Sequence, residues 1–249
     1  MTLPTRPTDS VTTIHQRFYN ASLPPITLEF LNLTSLTTRS VSDLVATLGA
    51  EGSRLGIAAS YGRKCVLGTL AFSTETRVLL IVINNRSKDT NRQKQILKNK
   101  LLCNPSLEKH GFFMERIAAA LRLDLGLCIS NAFDITSSGD RRGSMASYKS
   151  VIVRGRAQHS VNEPAVEKIF TEQAFVPSRK DGFALRAWAC YVGVQGLPNN
   201  PQGVIDTSSK SAKVRSEPSL AFSVNLTRLL GRSWIGCANA SAMPTVWTP

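Results

Sequence analysis

The chain has 249 residues, 42% of them hydrophobic, enough for one large domain or two small ones with a buried core. Thirty Lys and Arg against 17 Asp and Glu leave a formal charge of +13, which favours polyanionic partners through counterion release. No run of 18 apolar residues occurs, so no membrane-spanning helix is expected, and five cysteines without a C-x-x-C pair argue against a zinc site or a disulfide framework.

Residues 1–25 are rich in Thr, Ser and Pro and lack the basic start and apolar block of a secretory signal. They read as a disordered leader. Without a secretory signal the expectation is an intracellular protein, nuclear or cytoplasmic, not secreted. The irregular cysteine spacing then reads as buried, reduced thiols. The N-x-S/T triplets at Asn20, Asn32, Asn225 and Asn239 read as chance matches.

Residues 26–33 (ITLEFLNL) alternate apolar and polar, which suits a strand. Residues 40–48 suit a short helix with Ser40 or Ser42 as its N-cap. Three apolar runs follow at 55–59, 65–72 and 78–83, with a turn at 73–76, and read as an antiparallel meander. The stretch 90–103 is a predicted helix with Ile96, Leu97 and Leu101 on one face, Lys94 and Lys98 on another, closed by Pro105. A short strand at 107–110 precedes a second helix over 112–122, where Phe113, Ile117 and Leu121 recur at helical spacing. Another short strand is expected around Phe133 and Asp134. Helices are predicted at 143–153, 163–175 and 179–194. Residues 198–218, rich in Pro, Asn, Gly and Ser, read as a linker, and the tail 219–249 has no clear period. The pattern predicts a mixed sheet flanked by helices.

Several segments, in order, carry a resemblance. They are Leu55-Gly56-Ile57-Ala58-Ala59-Ser60, Arg77-Val78-Leu79-Leu80-Ile81, Lys109-His110-Gly111-Phe112 with the helix after it, Phe133-Asp134-Ile135-Thr136, and Asp181-Gly182-Phe183-Ala184-Leu185-Arg186-Ala187-Trp188. Together they resemble a 3'-5' exonuclease domain of the RNase D and Werner type, within the RNase H-like superfamily. The resemblance implies an α/β fold over 26–197, with an RNase H-like mixed five-stranded sheet that begins as an antiparallel meander. It also implies four carboxylates that bring two divalent ions to within roughly 4 Å of each other for phosphodiester hydrolysis.

Those acids are mostly missing. The first aspartate and the glutamate of the family pattern fall on Ala58 and Ser60, the second aspartate on Ile117, and the water-positioning tyrosine on Pro177. Asp181 is the one retained acid. Ala and Ile cannot ligate a metal, and a Ser hydroxyl is a poor ligand for a hard cation. Asp134 reads as a structural acid that ties backbone, and His110 as a packed or capping residue. The implied protein is a degenerate exonuclease with no cofactor, and Mg²⁺ or Mn²⁺ would enter only if other acids had taken over.

Basic residues that border the substrate groove in the resemblance are Arg141, Arg142, Arg179, Lys180 and Arg186, with Lys94 and Lys98 on the first long helix. Tyr61, Tyr148 and Phe183 are the stacking candidates near them. The expected partner is the backbone of RNA or DNA, with no membrane partner. Two alternatives stay open. One is a protein-interaction module whose C-terminal tail anchors a partner through Leu229, Leu230 and Trp234. The other is an active metal-dependent 3'-5' exonuclease with relocated carboxylates.

Overall fold

The computed structural model describes residues 9–16, 23–48, 53–83, 90–135, 152, 161–171, 177–195 and 204–205. These form one mixed sheet with helices on both faces. The strands are β1 (Ser10–Ile14), β2 (Ile26–Asn32), β3 (Arg54–Tyr61), β4 (Leu67–Ser73), β5 (Arg77–Val82), β6 (Glu108–Gly111), β7 (Ala132–Asp134) and β8 (Val204–Ile205). The helices are α1 (Thr38–Val45), α2 (Asn91–Leu97), α3 (Met114–Ala120), α4 (Glu163–Thr171) and α5 (Lys180–Gln195).

Across the sheet the order is β1-β2-β5-β4-β3-β6-β7-β8. The strands β3, β4 and β5 pair antiparallel, whereas β6 lies parallel to β3 and β7 parallel to β6. That order and those directions are the RNase H-like arrangement, so the meander and the two parallel strands stand as expected. The strand count does not. Eight strands replace the expected five, because β2 pairs parallel with β5, β1 pairs antiparallel with β2, and β8 pairs antiparallel with β7. Residues 10–14 of the expected leader are therefore a strand. So are residues 204–205 of the expected linker. The predicted helix at 143–153 and the tail 219–249 lie outside the described residues, Ile152 excepted.

Alternation along the strands builds two cores. On one face Leu55, Ile57, Leu70, Phe72, Leu79 and Ile81 pack with side chains of α1, α2 and α3. On the other Ala58, Ala71, Val78 and Leu80 pack with Ala184, Ala187 and Trp188 of α5. Each large apolar side chain buried in this way contributes roughly 1.5–3 kcal/mol. The helix α5 is apolar on all sides and buried along most of its length, as a central helix must be. Trp188 satisfies its one polar atom by donating Nε1–H to the Glu75 carbonyl at 2.8 Å.

The strand β3 and α5 approach closely because Gly56 has no side chain. A Cβ there would meet the Ala187 carbonyl and would stand 2.6 Å from Tyr191 N. The helix α1 starts at a different cap from the one expected. Thr37 Oγ1 accepts from Ser40 N at 3.1 Å, and Ser40 lies buried within the first turn. Both α2 and α3 end in single π turns, Lys98–Leu102 and Leu121–Leu125.

Candidate functional site

A cavity of about 400 Å³ opens where β3 ends, between the start of α3 and the middle of α5. Ala58 and Ala59 come from β3, Tyr61, Gly62 and Cys65 from its end and the following turn, and Arg116 and Ile117 from α3. Phe112 and Phe113 close it from the β6–α3 connection, and Phe170, Arg186 and Cys190 from α4 and α5. Among the described residues no carboxylate lines it. The fold thus brings together two positions that the sequence singled out, Ala58 and Ile117, and both are nearly fully buried.

The other positions of the expected metal site lie apart from it. Ser60 is buried with its Oγ unpaired and does not line the cavity. Asp181 sits exposed in the first turn of α5, and Pro177 begins the 3₁₀ turn Pro177–Arg179 ahead of that helix. Among the described residues no three His, Cys, Asp or Glu side chains gather where they could share a metal ion. The described lining residues do not fit a pair of divalent cations. Ala58 and Ile117 offer no ligand atom, and two guanidinium groups would repel them.

Two nearby acids accept from backbone. Asp134 Oδ2 accepts from Met114 N at 2.9 Å and so caps α3, the tying role expected of it. Asp124 Oδ2 accepts from Leu67 N at 2.7 Å. Glu108 pairs with Arg54 at 3.2 Å and with His110 at 3.1 Å, away from the cavity. Lys109 is fully buried and donates from Nζ to the Asn104 carbonyl at 2.7 Å and the Ser130 carbonyl at 2.9 Å, which ties two loops to β6.

Among the described residues the predicted basic side chains do not form one patch. Arg186 reaches the cavity while donating Nε–H to the Ile169 carbonyl, with its guanidinium 5.5 Å from the Phe183 ring centre. Lys180 turns instead toward the N-terminal strands. It donates to Ser10 Oγ at 3.0 Å and lies 5.3 Å from the ring centre of Phe30. Arg179 is exposed beside it. Lys94 and Lys98 are half-buried on the helix that packs against the opposite face of the sheet from α5. Arg141, Arg142 and Tyr148 lie outside the described residues. Phe183 is buried, so it offers no stacking face, which corrects its reading as a stacking candidate.

Sequence reasoning missed the cation at the centre of the site. The exposed Arg116 lays its guanidinium 4.2 Å from the ring centre of Tyr61. No pattern in the sequence marks it, since a charged residue on a helix reads as solvated face. Missed as well was Phe113, which is 41% exposed and left-handed at φ 57° and ψ 47°. Cys65 at the cavity and Lys64 beside it are also left-handed, at φ 58° and 62°. Such non-glycine positions cost of order 1–3 kcal/mol each and concentrate where a surface is held in place. Burial pushes the Cys190 thiol up to about 12 and the Tyr61 hydroxyl well above its ordinary range, so neither is a ready nucleophile or base.

The strand order, the strand directions and the placement of α5 on β3 are the arrangement that the sequence resemblance implies. No family model matches the chain, and no curated protein matches it in sequence. Among solved structures it is similar to the Aedes aegypti Nibbler EXO domain, at 13% identity and a TM-score of 0.44 over 66% of this chain and 84% of that one. It is also similar to Trypanosoma brucei RNase D in a complex with GMP, at 10% identity and 0.47 over 70% and 58%. Escherichia coli RNase D, an exoribonuclease involved in structured RNA processing, gives 14% and 0.42 over 64% and 41%. The chain thus spans most of the Nibbler domain but less than two thirds of either RNase D.

Proposed function

We propose that this chain is a catalytically degenerate 3'-5' exonuclease-like protein that binds nucleic acid without divalent metal. The observation that carries the reading is the lining of the cavity at the end of β3. Where the resemblance requires carboxylates there are Ala58 and Ile117, and the charged side chains among the described lining residues are Arg116 and Arg186. A site of that sign attracts phosphate directly, whereas an exonuclease site of this type is acidic and takes phosphate through bound cations. The excess of 13 positive charges supports the same partner through backbone contacts that read no sequence.

The test is a pair of assays on protein freed of contaminating nucleases. With labelled single-stranded RNA and DNA, Mg²⁺ or Mn²⁺ is expected to produce no shortening from the 3' end. Binding in the presence of a chelator is expected to persist and to weaken linearly in log affinity with log salt. Asp181→Ala is expected to change neither. Chelator-sensitive shortening that Asp181→Ala abolishes would establish the active enzyme with relocated acids instead.

A further inference from the structure

Cys103 ends the π turn that follows α2, and Cys128 lies on the segment that leads from α3 to β7. Both are half-exposed, not buried as their spacing suggested. We infer that they form a dithiol site that reacts with small disulfides of the glutathione class and closes to a Cys103–Cys128 disulfide. The inference goes beyond the nucleic-acid reading and is independent of the cavity at the end of β3.

Hydrogen bonds hold the two segments side by side. Ser130 N donates to the Leu102 carbonyl at 3.0 Å. The buried Lys109 donates from Nζ to the Asn104 and Ser130 carbonyls, which clamps one segment to the other from within. Asn131 Nδ2 donates to the Pro105 carbonyl at 2.6 Å. Beside these contacts the Cys103 thiol donates to the Cys128 carbonyl at 3.2 Å, across 25 positions of sequence. A carbonyl oxygen lies about 2.4 Å from its own Cα, which puts the Cys103 sulfur within about 6 Å of Cys128 Cα. Disulfides join Cα atoms about 4.4–6.8 Å apart, so the pair is held at the scale that the bond needs.

The Cys128 sulfur also accepts from Arg122 Nη1 at 3.4 Å. Negative charge develops on sulfur during thiol–disulfide exchange, and a guanidinium placed there favours Cys128 as the attacking sulfur. Its thiolate attacks one sulfur of oxidised glutathione and breaks that S–S bond. One glutathione leaves as a thiolate and takes up the proton that Cys128 gave up. Cys103 then loses its proton to solvent and attacks the Cys128 sulfur, and the second glutathione leaves as a thiolate and is protonated. Two protein thiols are oxidised to one disulfide, and one glutathione disulfide is reduced to two thiols. The new bond ties the end of α2 to the approach to β7.

The test treats the reduced full chain with oxidised glutathione in native buffer, quenches by alkylation and digests with trypsin without reduction. Cleavage gives peptides 101–109 and 123–141, each holding one of the two cysteines. They are expected to appear joined, with the intact mass lower by about 2 Da for the two hydrogens lost. Cys103→Ser should stall at a stable glutathione adduct on Cys128. That adduct should form about tenfold faster than the one on Cys103 in Cys128→Ser, the effect of one charge-assisted hydrogen bond. Should either variant not fold, the wild-type peptide map alone decides whether the bond forms. Links that involve Cys65 or Cys190 as readily, adducts that persist on the wild-type pair, or oxidation that needs urea would each overturn the inference. Faster adduct formation on Cys103 would overturn the role given to Cys128.

Discussion

His110 shows what a single buried side chain does to the stability of the whole domain. Its ring stacks on Phe133 with centres 4.9 Å apart, and it shares a hydrogen bond with Glu108 at 3.1 Å. Burial lowers its pKa from 6.5 to about 4, against the smaller opposing pull of Glu108. The folded protein therefore stays neutral at this site down to about pH 4, while the unfolded chain takes up a proton below about pH 6.5. Stability present above pH 6.5 is lost as pH falls toward 4, by about 3 kcal/mol from this residue. Urea midpoints across that window should fall with pH, and His110→Phe, which keeps the stack, should flatten the slope. The packed role of His110 was legible in a lone histidine beside a glycine. Arg116 was not, because a charged residue on a helix reads as solvated face until the ring beneath it is known.

At the scale of elements, the apolar runs of β3, β4 and β5 were plain because buried central strands need apolar residues on both faces. The cap of α1 was misplaced, since Thr37, Ser40 and Ser42 all carry hydroxyls and only the backbone decides which one receives the amide. The π turns after α2 and α3 leave no mark in residue type. The contact between β3 and α5 turns on Gly56, and a test follows from comparing two glycines. Gly56→Ala forces a methyl into the α5 backbone, for which overpacking costs of about 1–3 kcal/mol or more apply. The melting temperature should drop by roughly 5–10 °C, since each kcal/mol shifts a domain of this size by about 2–4 °C. Gly68→Ala meets nothing closer than 3.6 Å and should leave the melting temperature nearly unchanged.

For the molecule as a whole, the RNase H-like order was legible because its segments arrive in sequence with their motifs. Its extensions were not. The strand β1 is five residues of Ser, Val, Thr and Ile inside a Thr- and Pro-rich stretch, and its place depends on the edge that β2 presents. The strand β8 is two residues long, too short for any period. The charge clusters were legible as clusters but not as surfaces. The helix carrying Lys94 and Lys98 and the one carrying Arg186 lie on opposite faces of the sheet, a separation that only the fold can impose.

Lys109 turns the parallel half of this sheet into its own reporter. Its amine is wholly inaccessible and bound to two carbonyls, so an acylating reagent can reach it only when β6 parts from the loops around it. Exposed lysines such as Lys100 should be acetylated promptly in native buffer, while Lys109 lags by orders of magnitude. Mass spectrometry of the labelled peptide over increasing urea would then time how often this region breathes, with no probe added to the chain.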